Sequence, residues 1–257
     1  MSCDSTRLFS SRVDDYVKYR PSYPAAAIDL LRRRCGLHPG VTVADLGAGT
    51  GILTALLLEA GARVMAVEPN AEMRAAAERL LGSRAGFRSV AGTAEASTLT
   101  AGSIALVVAG QAFHWFDAAR ARAEVLRILV PGAWAALLWN EPPEEPTGFM
   151  ADYDALLRRY APQYERVRAL RAREPQMRQF FGREPERAVF ANQQQFGFEG
   201  LKGRLMSSSH APEPGQAQHE PMLAGLRELF ERHQRGGEVV FPYQTLVFFG
   251  QPGAGVE

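Results

Sequence analysis

Val41-Thr42-Val43-Ala44-Asp45-Leu46-Gly47-Ala48-Gly49-Thr50-Gly51 runs from an apolar stretch through an acid into three glycines at alternate positions. An apolar, helix-forming segment opens at Ile52. The pattern predicts a strand, a tight glycine turn and a helix N-terminus in immediate succession. Glycine admits positive φ and lets a ligand approach the main chain without meeting a Cβ. The unpaired N–H groups of the helix start face the same spot. In an open α/β sheet, the crevice at the carboxyl end of such a strand is where nucleotides bind.

Three details narrow the ligand. The spacing is G-x-G-x-G, not the dinucleotide G-x-G-x-x-G, and no Lys-Ser/Thr follows as a phosphate loop requires. Asp45 sits at the strand end, where its charge repels a pyrophosphate but suits an amino group. A second strand, Arg63-Val64-Met65-Ala66-Val67, ends in Glu68, which is placed to accept hydrogen bonds from both ribose hydroxyls of a nucleoside. The pocket reads as built for a nucleoside carrying a cationic, amino-acid-like tail.

Asp45-Leu46-Gly47-Ala48-Gly49-Thr50-Gly51, followed by Val67-Glu68-Pro69-Asn70-Ala71-Glu72-Met73, resembles a class I S-adenosylmethionine-dependent methyltransferase. Gly92-Thr93-Ala94-Glu95 resembles the family segment that meets the adenine, and Ser103 through Asp117 the fourth strand with its loop beside the methionine end. Tyr16-Val17-Lys18-Tyr19-Arg20-Pro21-Ser22-Tyr23-Pro24 is similar to the small-molecule branch that includes trans-aconitate methyltransferases. The resemblance implies S-adenosyl-L-methionine as cofactor. It implies contacts from Asp45, Gly47, Ala48, Gly49, Gly51, Glu68, Pro69, Met73, Thr93, Ala94, Glu95, Gln111 and Ala112, with Tyr16 and Arg20 over the methionine carboxylate or the acceptor. It implies a doubly wound, Rossmann-like α/β sheet of seven strands, the last antiparallel.

Composition is consistent with this. A chain of 257 residues can bury one sizeable core, or one core plus a cap. The net charge of +1 gives no field to gather nucleic acid or an anionic membrane. No apolar run reaches the ~18 residues of a membrane span. The N-terminus, with Asp4, Arg7, Arg12 and Asp14, reads as lacking an apolar signal core. Cys3 and Cys35 form no metal-ligand pattern, so the reading is a reduced, cytoplasmic protein without metal, monomeric or homodimeric.

Strand and helix patterns alternate along the chain. Strands are expected at Val41–Leu46, Val64–Val67, Phe87–Ala91, Ile104–Ala109 and Ala133–Trp139. Helices are expected at Ile52–Ala60, Ala71–Leu81 and Ala118–Leu129, the last stopped by Pro131-Gly132. Residues 1–40 predict a helical cover, 41–140 the cofactor-binding core, 141–185 a lid insertion, and 186–257 the elements completing one methyltransferase domain. Asn140-Glu141-Pro142-Pro143-Glu144-Glu145-Pro146 reads as a hinge. In the insertion, Arg158, Arg159, Arg166, Arg168, Arg171 and Arg173 form a solvated face or a lid that recruits a carboxylate; the solvated face is favoured because charge runs are usually solvent faces. Further on, a strand is expected at Ala188–Phe196, helices around Leu201–Ser207 and Pro221–His233, and a strand at Glu238–Gly250, kinked or edge-placed at Pro242.

The candidate acceptor-side residues are Tyr16, Tyr19, Arg20, His114 and Trp115, with His114 and Trp115 the candidate catalytic pair. His114 either acts as a base or orients Trp115. Trp115 either walls the site, touching a sulfonium, or packs in the core. The expected activity is methyl transfer to a small molecule, a carboxylate needing no base. A nicotinamide-dependent oxidoreductase on the same fold and a non-catalytic cofactor-binding protein are the alternatives.

Overall fold

Every central strand of this protein is apolar on both faces, which forces cover on both sides. The computed structural model describes residues 17–165, 174–208 and 210–253. In chain order the elements are α1 (Ala25–Arg34), β1 (Thr42–Leu46), α2 (Ile52–Glu59), β2 (Arg63–Val67), α3 (Ala71–Leu81), β3 (Phe87–Val90), β4 (Ile104–Gly110), α4 (Ala118–Ile128) and β5 (Leu129–Glu141). They continue with α5 (Phe149–Tyr160), α6 (Glu174–Phe181), β6 (Glu186–Phe196), α7 (Phe198–Met206), α8 (His219–His233) and β7 (Val239–Gly250). The strand order is β3-β2-β1-β4-β5-β7-β6. β1 to β5 pair in parallel, and β7 runs antiparallel to both of its neighbours. This is the seven-stranded sheet with an antiparallel last strand.

Alternation along β1 divides the core. Val43 points to one face and packs with Leu31 of α1 and Leu57 of α2. Ala44 and Leu46 point to the other, into a cluster holding Phe113, Val125 of α4 and Phe180 of α6. A third cluster lies at the far ends of β6 and β7, where α5, α7 and α8 bury Leu157, Leu205, Leu226 and Phe241. Side-chain caps fix two helix starts: Asn70 accepts from the N–H groups of Glu72 and Met73, and Asp117 from those of Ala119 and Arg120.

Two expectations need correction. Pro131-Gly132 does not separate a helix from a strand: α4 ends at Ile128, and β5 begins at Leu129, which pairs with Ile104. The ladder then shifts register before Trp134 resumes it opposite Leu106. Pro131 lacks an N–H and Gly132 has φ +75°, so the pair forms an irregularity inside one strand. Pro242 does not mark an edge either, since β7 lies between β5 and β6. The β5 pairing stops at Glu141 opposite Gln244, so Pro242 stands where β7 outruns β5 and its missing N–H breaks no bond to that strand.

Candidate active site

The glycine turn after β1 is clamped to the end of β2. The N–H groups of Gly47 and Ala48 donate to the Val67 carbonyl at 2.8 and 3.1 Å. The Gly49 N–H donates to Glu68 Oε2 at 2.9 Å, and the Asn70 N–H to Glu68 Oε1 at 2.8 Å. The Glu68 carboxylate therefore props the turn while lying buried beneath it, and burial pushes its pKa up against those two donors. Gly47 has φ +69°, and a Cβ there would stand 2.6 Å from the Ala112 Cβ. Gly49 has φ +58° and open space where a Cβ would be. The first glycine lets the turn close on the strand-four loop; the second leaves the mouth of the crevice clear.

Asp45 is 1% exposed. Its Oδ2 accepts from the Thr54 hydroxyl at 2.7 Å, while Oδ1 is buried without a partner. Burial pushes its carboxyl up to about 7, opposed by the Thr54 hydrogen bond. An orphaned carboxylate oxygen facing a cavity is a site for a cationic donor.

That cavity measures about 370 Å³ and lies against the carboxyl ends of β1 and β4. Arg20, Asp45, Gly47, Ala48, Gly49 and Gln111 all line it. Gln111 holds φ +57°, rare outside glycine, with its N–H on the Leu138 carbonyl and its Nε2 donating to the Asn140 carbonyl at 3.0 Å. Arg20 belongs to an N-terminal strap. Its Nη2 donates to the Ser207 carbonyl at 2.6 Å. Asn140 and Asn192 both donate to the Ser22 carbonyl, at 3.2 and 2.8 Å, which fixes the strap over the sheet.

The remaining predicted residues lie off this wall. Gly51 is the N-cap of α2, Met73 is buried in the first turn of α3, and Pro69 precedes that helix's N-cap Asn70. Ala94 is buried, and the Thr93 hydroxyl accepts from the N–H groups of Glu95 and Ala96 in a tight turn. Glu95 Oε1 accepts from the Asp117 N–H at 2.9 Å. Ala112 is buried against Gly47. His114 and Trp115 sit in a short 3-10 turn, rings 4.8 Å apart, and do not line the cavity. Tyr16 lies outside the described residues, as do Arg166, Arg168, Arg171 and Arg173 of the insertion. Arg158 pairs with Asp154 at 2.6 Å and also with Glu165, and Arg159 rests on the Tyr160 ring; neither reaches the cavity.

The far wall comes from residues the motifs did not mark. α5 turns Met150, Tyr153, Asp154 and Leu157 inward, one helical face at i, i+3, i+4 and i+7. Asn140 is a buried end of β5, not linker, and accepts from the Thr245 hydroxyl at 2.5 Å. Arg204 donates through Nε to the Tyr243 hydroxyl at 2.9 Å and through Nη1 to the Ser208 hydroxyl at 3.1 Å. Its guanidinium lies over the rings of Phe241 and Tyr243.

Residues 44–137, the stretch that carries the turn, Glu68 and Gln111, match the family described as methyltransferase domain. This stretch is similar to a methyltransferase domain. The chain is similar to an uncharacterized methyltransferase of Mycobacterium tuberculosis, 42% identical over 147 residues, 54% of this chain and 56% of that protein. It is also similar to a trans-aconitate 2-methyltransferase of Azoarcus sp., 34% identical over 139 residues, 51% of each. The chain thus spans about half the length of the relatives it matches. The fold is that of a solved, proposed type II methyltransferase from Anaeromyxobacter dehalogenans. That structure has a TM-score of 0.64 and 24% identity, covering 91% of this chain and 98% of that one. No helix among the described residues is long and apolar enough to cross a membrane.

Proposed function

We propose that this chain transfers a methyl group from S-adenosylmethionine to a small organic acceptor, favouring a carboxylate. The observation that carries this is the unpartnered Asp45 Oδ1 on the cavity wall, beside a positive-φ turn with free space at Gly49. A cofactor with an α-ammonium group supplies the donor that oxygen lacks. In this reading Asp45 holds the ammonium, Arg20 the methionine carboxylate, and Glu68 the ribose hydroxyls through its remaining lone pairs. Thr93, Ala94 and Glu95 flank the adenine. When bound, the cofactor supplies an electrophilic methyl on a sulfonium that carries its own leaving group.

The protein's share is then positioning, which can account for ~7–11 kcal/mol of a barrier. The strap at Arg20–Tyr23 and α5, acting as a lid, cover the cavity and keep water out. A carboxylate acceptor arrives ionised, so no base is required, in keeping with the position of His114 off the wall. Cys35 is buried, and burial lifts its thiol to about 12, which makes it an unreactive core residue. That fits a reduced cytoplasmic setting for a monomer or homodimer.

Isothermal titration tests the cofactor: S-adenosylhomocysteine should bind and NAD should not. NAD binding without any response to S-adenosylhomocysteine would turn the reading to an oxidoreductase. Transfer of labelled methyl to a panel of small acids, with duplex DNA and tRNA as competitors, separates an enzyme for small molecules from a nucleic-acid enzyme or a cofactor-binding protein without turnover.

A further inference from the structure

Asn140 stands near the end of β5, where the N-terminal strap, β6 and β7 meet. It is buried and lines the cavity. Its side-chain amide is fully engaged. Nδ2 donates to the Ser22 carbonyl at 3.2 Å and, at the longer distance of 3.5 Å, to the Pro21 carbonyl. Oδ1 accepts from the Thr245 hydroxyl at 2.5 Å and from Asn192 Nδ2 at 3.1 Å. The Asn140 main-chain carbonyl accepts from Gln111 Nε2 at 3.0 Å.

Hydrogen-bond chemistry allows one orientation of this amide. Main-chain carbonyls accept and never donate, so a donor must face Pro21 and Ser22. Asn192 is oriented in turn by the Gln193 N–H, which donates to its Oδ1 at 2.9 Å. That turns Asn192 Nδ2 toward the Ser22 carbonyl and Asn140 Oδ1. Aspartate at position 140 has the same shape and keeps an acceptor for Thr245 and Asn192. Its second oxygen, however, meets two carbonyl oxygens where the amide had two donors.

Both arms of this network end on the cavity. By its side chain Asn140 holds the strap, which lines the cavity at Arg20, Pro21 and Tyr23. By its main chain it holds Gln111, whose φ is +57°. The arms meet again at Gly110, where an added Cβ would stand 2.5 Å from the Tyr23 hydroxyl oxygen. Strap and strand-four loop are thus seated on each other and on one residue. A ligand that needs the docked strap loses affinity in proportion to the fraction of molecules in which the strap is open.

Resting on the methyltransferase reading, we infer that Asn140 is a positioning residue for the cofactor. Its carboxamide, oriented by Asn192 and Thr245, docks the strap over the methionine end of the cavity, and it acts on the cofactor through that strap.

The full chain carrying Asn140→Asp, at about pH 8 where an aspartate is ionised, tests this. One readout is S-adenosylhomocysteine affinity by calorimetry. The other is trypsin cleavage of the native chain after Lys18, followed by mass spectrometry as the fragment that begins at Tyr19. That bond lies in the docked strap, where Gln194 Nε2 donates to the Tyr19 carbonyl at 3.3 Å. Native-state cleavage tracks the open population. Without ligand, Asn140→Asp should be cut about tenfold faster than the unaltered chain, and it should bind S-adenosylhomocysteine about tenfold more weakly. By reciprocity, saturating S-adenosylhomocysteine should slow the cut. Thr245→Val removes a bond from the same amide but none from the strap. It should lower Tm yet leave both readouts within about twofold. If circular dichroism shows Asn140→Asp unfolded, Asn192→Ala takes its place. That change removes the second donor to the Ser22 carbonyl, and both readouts should shift in the same direction by about threefold. Unchanged cutting, unchanged affinity, or a loss of affinity in Thr245→Val as large as in Asn140→Asp would each overturn the inference. Absence of S-adenosylhomocysteine binding by the unaltered chain strikes the methyltransferase reading instead, and the ligand-free cut then decides whether the amide docks the strap.

Discussion

One wall of the cavity is main chain and the wall facing it is side chain. The first comes from a single turn, residues 45–53, where N–H groups, positive φ angles and one orphaned carboxylate oxygen do the shaping. The second gathers side chains from the N-terminal strap, α5, α7 and β7, with Arg204, Tyr153 and Tyr243 at its centre. A main-chain wall changes only when the turn itself changes. A side-chain wall can be rewritten one residue at a time without disturbing the sheet. Under the proposed function, the division puts a constant cofactor on one side and a particular acceptor on the other.

Mutations on the two walls should therefore separate cleanly. The largest effect is expected at Gly49. Gly49→Val puts a β-branched residue at φ +58° and fills the clear space beside the turn, so S-adenosylhomocysteine binding should disappear from calorimetry while the circular dichroism spectrum stays folded. Normal binding by this variant would show that the main-chain wall is not the cofactor's.

Glu68→Ala comes next. It removes a charged acceptor and releases the Gly49 and Asn70 N–H groups together. Cofactor affinity should fall by about 1.5–3 kcal/mol. An unchanged Kd would leave Glu68 as a prop for the turn alone.

The third expectation concerns pH. Asp45 titrates near 3.8 when unfolded and at about 7 when folded and empty, because burial disfavours its charge. Between those values the folded chain holds a proton that the unfolded chain has lost, so unliganded stability should decline as pH rises through that window. A cationic ligand favours the carboxylate, so S-adenosylhomocysteine affinity should rise over the same range. Urea midpoints and calorimetry against pH report the two opposite slopes, and Asp45→Asn should flatten both. Parallel slopes would break the assignment of Oδ1 to an ammonium.

Smaller effects belong to the other wall. Tyr243→Phe deletes the oxygen that holds Arg204 Nε, which should raise the acceptor KM by about 0.5–1.5 kcal/mol and spare the cofactor Kd. His114→Ala should keep most of the rate. Arg158→Ala should behave likewise, since that side chain is occupied with Asp154 and Glu165. A large loss of kcat in either would move the chemistry out of the cavity and into the 3-10 turn or the insertion.

The same division explains what could be read from the chain. Asp45, the glycines and Glu68 lie on main chain that is contiguous or one crossover apart, so spacing and residue type were enough to bring them together. Helix and strand bounds followed wherever caps were local, as at Asn70. The far wall had no such code. Tyr153 and Arg204 are adjacent only because α5, α7 and β7 pack into one cluster, and each alone reads as an ordinary amphipathic residue. His114 and Trp115 were drawn in by their position after β4, and in the 3-10 turn neither lines the cavity. Pro131 and Pro242 misled for a related reason. A proline reports its own missing N–H, not whether a neighbouring strand was waiting for it.

The placement of β7 also sets an order of assembly. Ala135 of β5 pairs with Gly250, and Glu141 with Gln244, so this ladder joins segments separated by over a hundred residues. Until the later segment arrives, the apolar edge from Ala135 to Trp139 has no hydrogen-bonding partner, and such an edge invites another chain. A nascent or truncated chain can already fold the glycine turn while its β5 edge stays adhesive. Closing that edge also completes the far wall of the cavity, since Phe241 and Tyr243 arrive on the same strand.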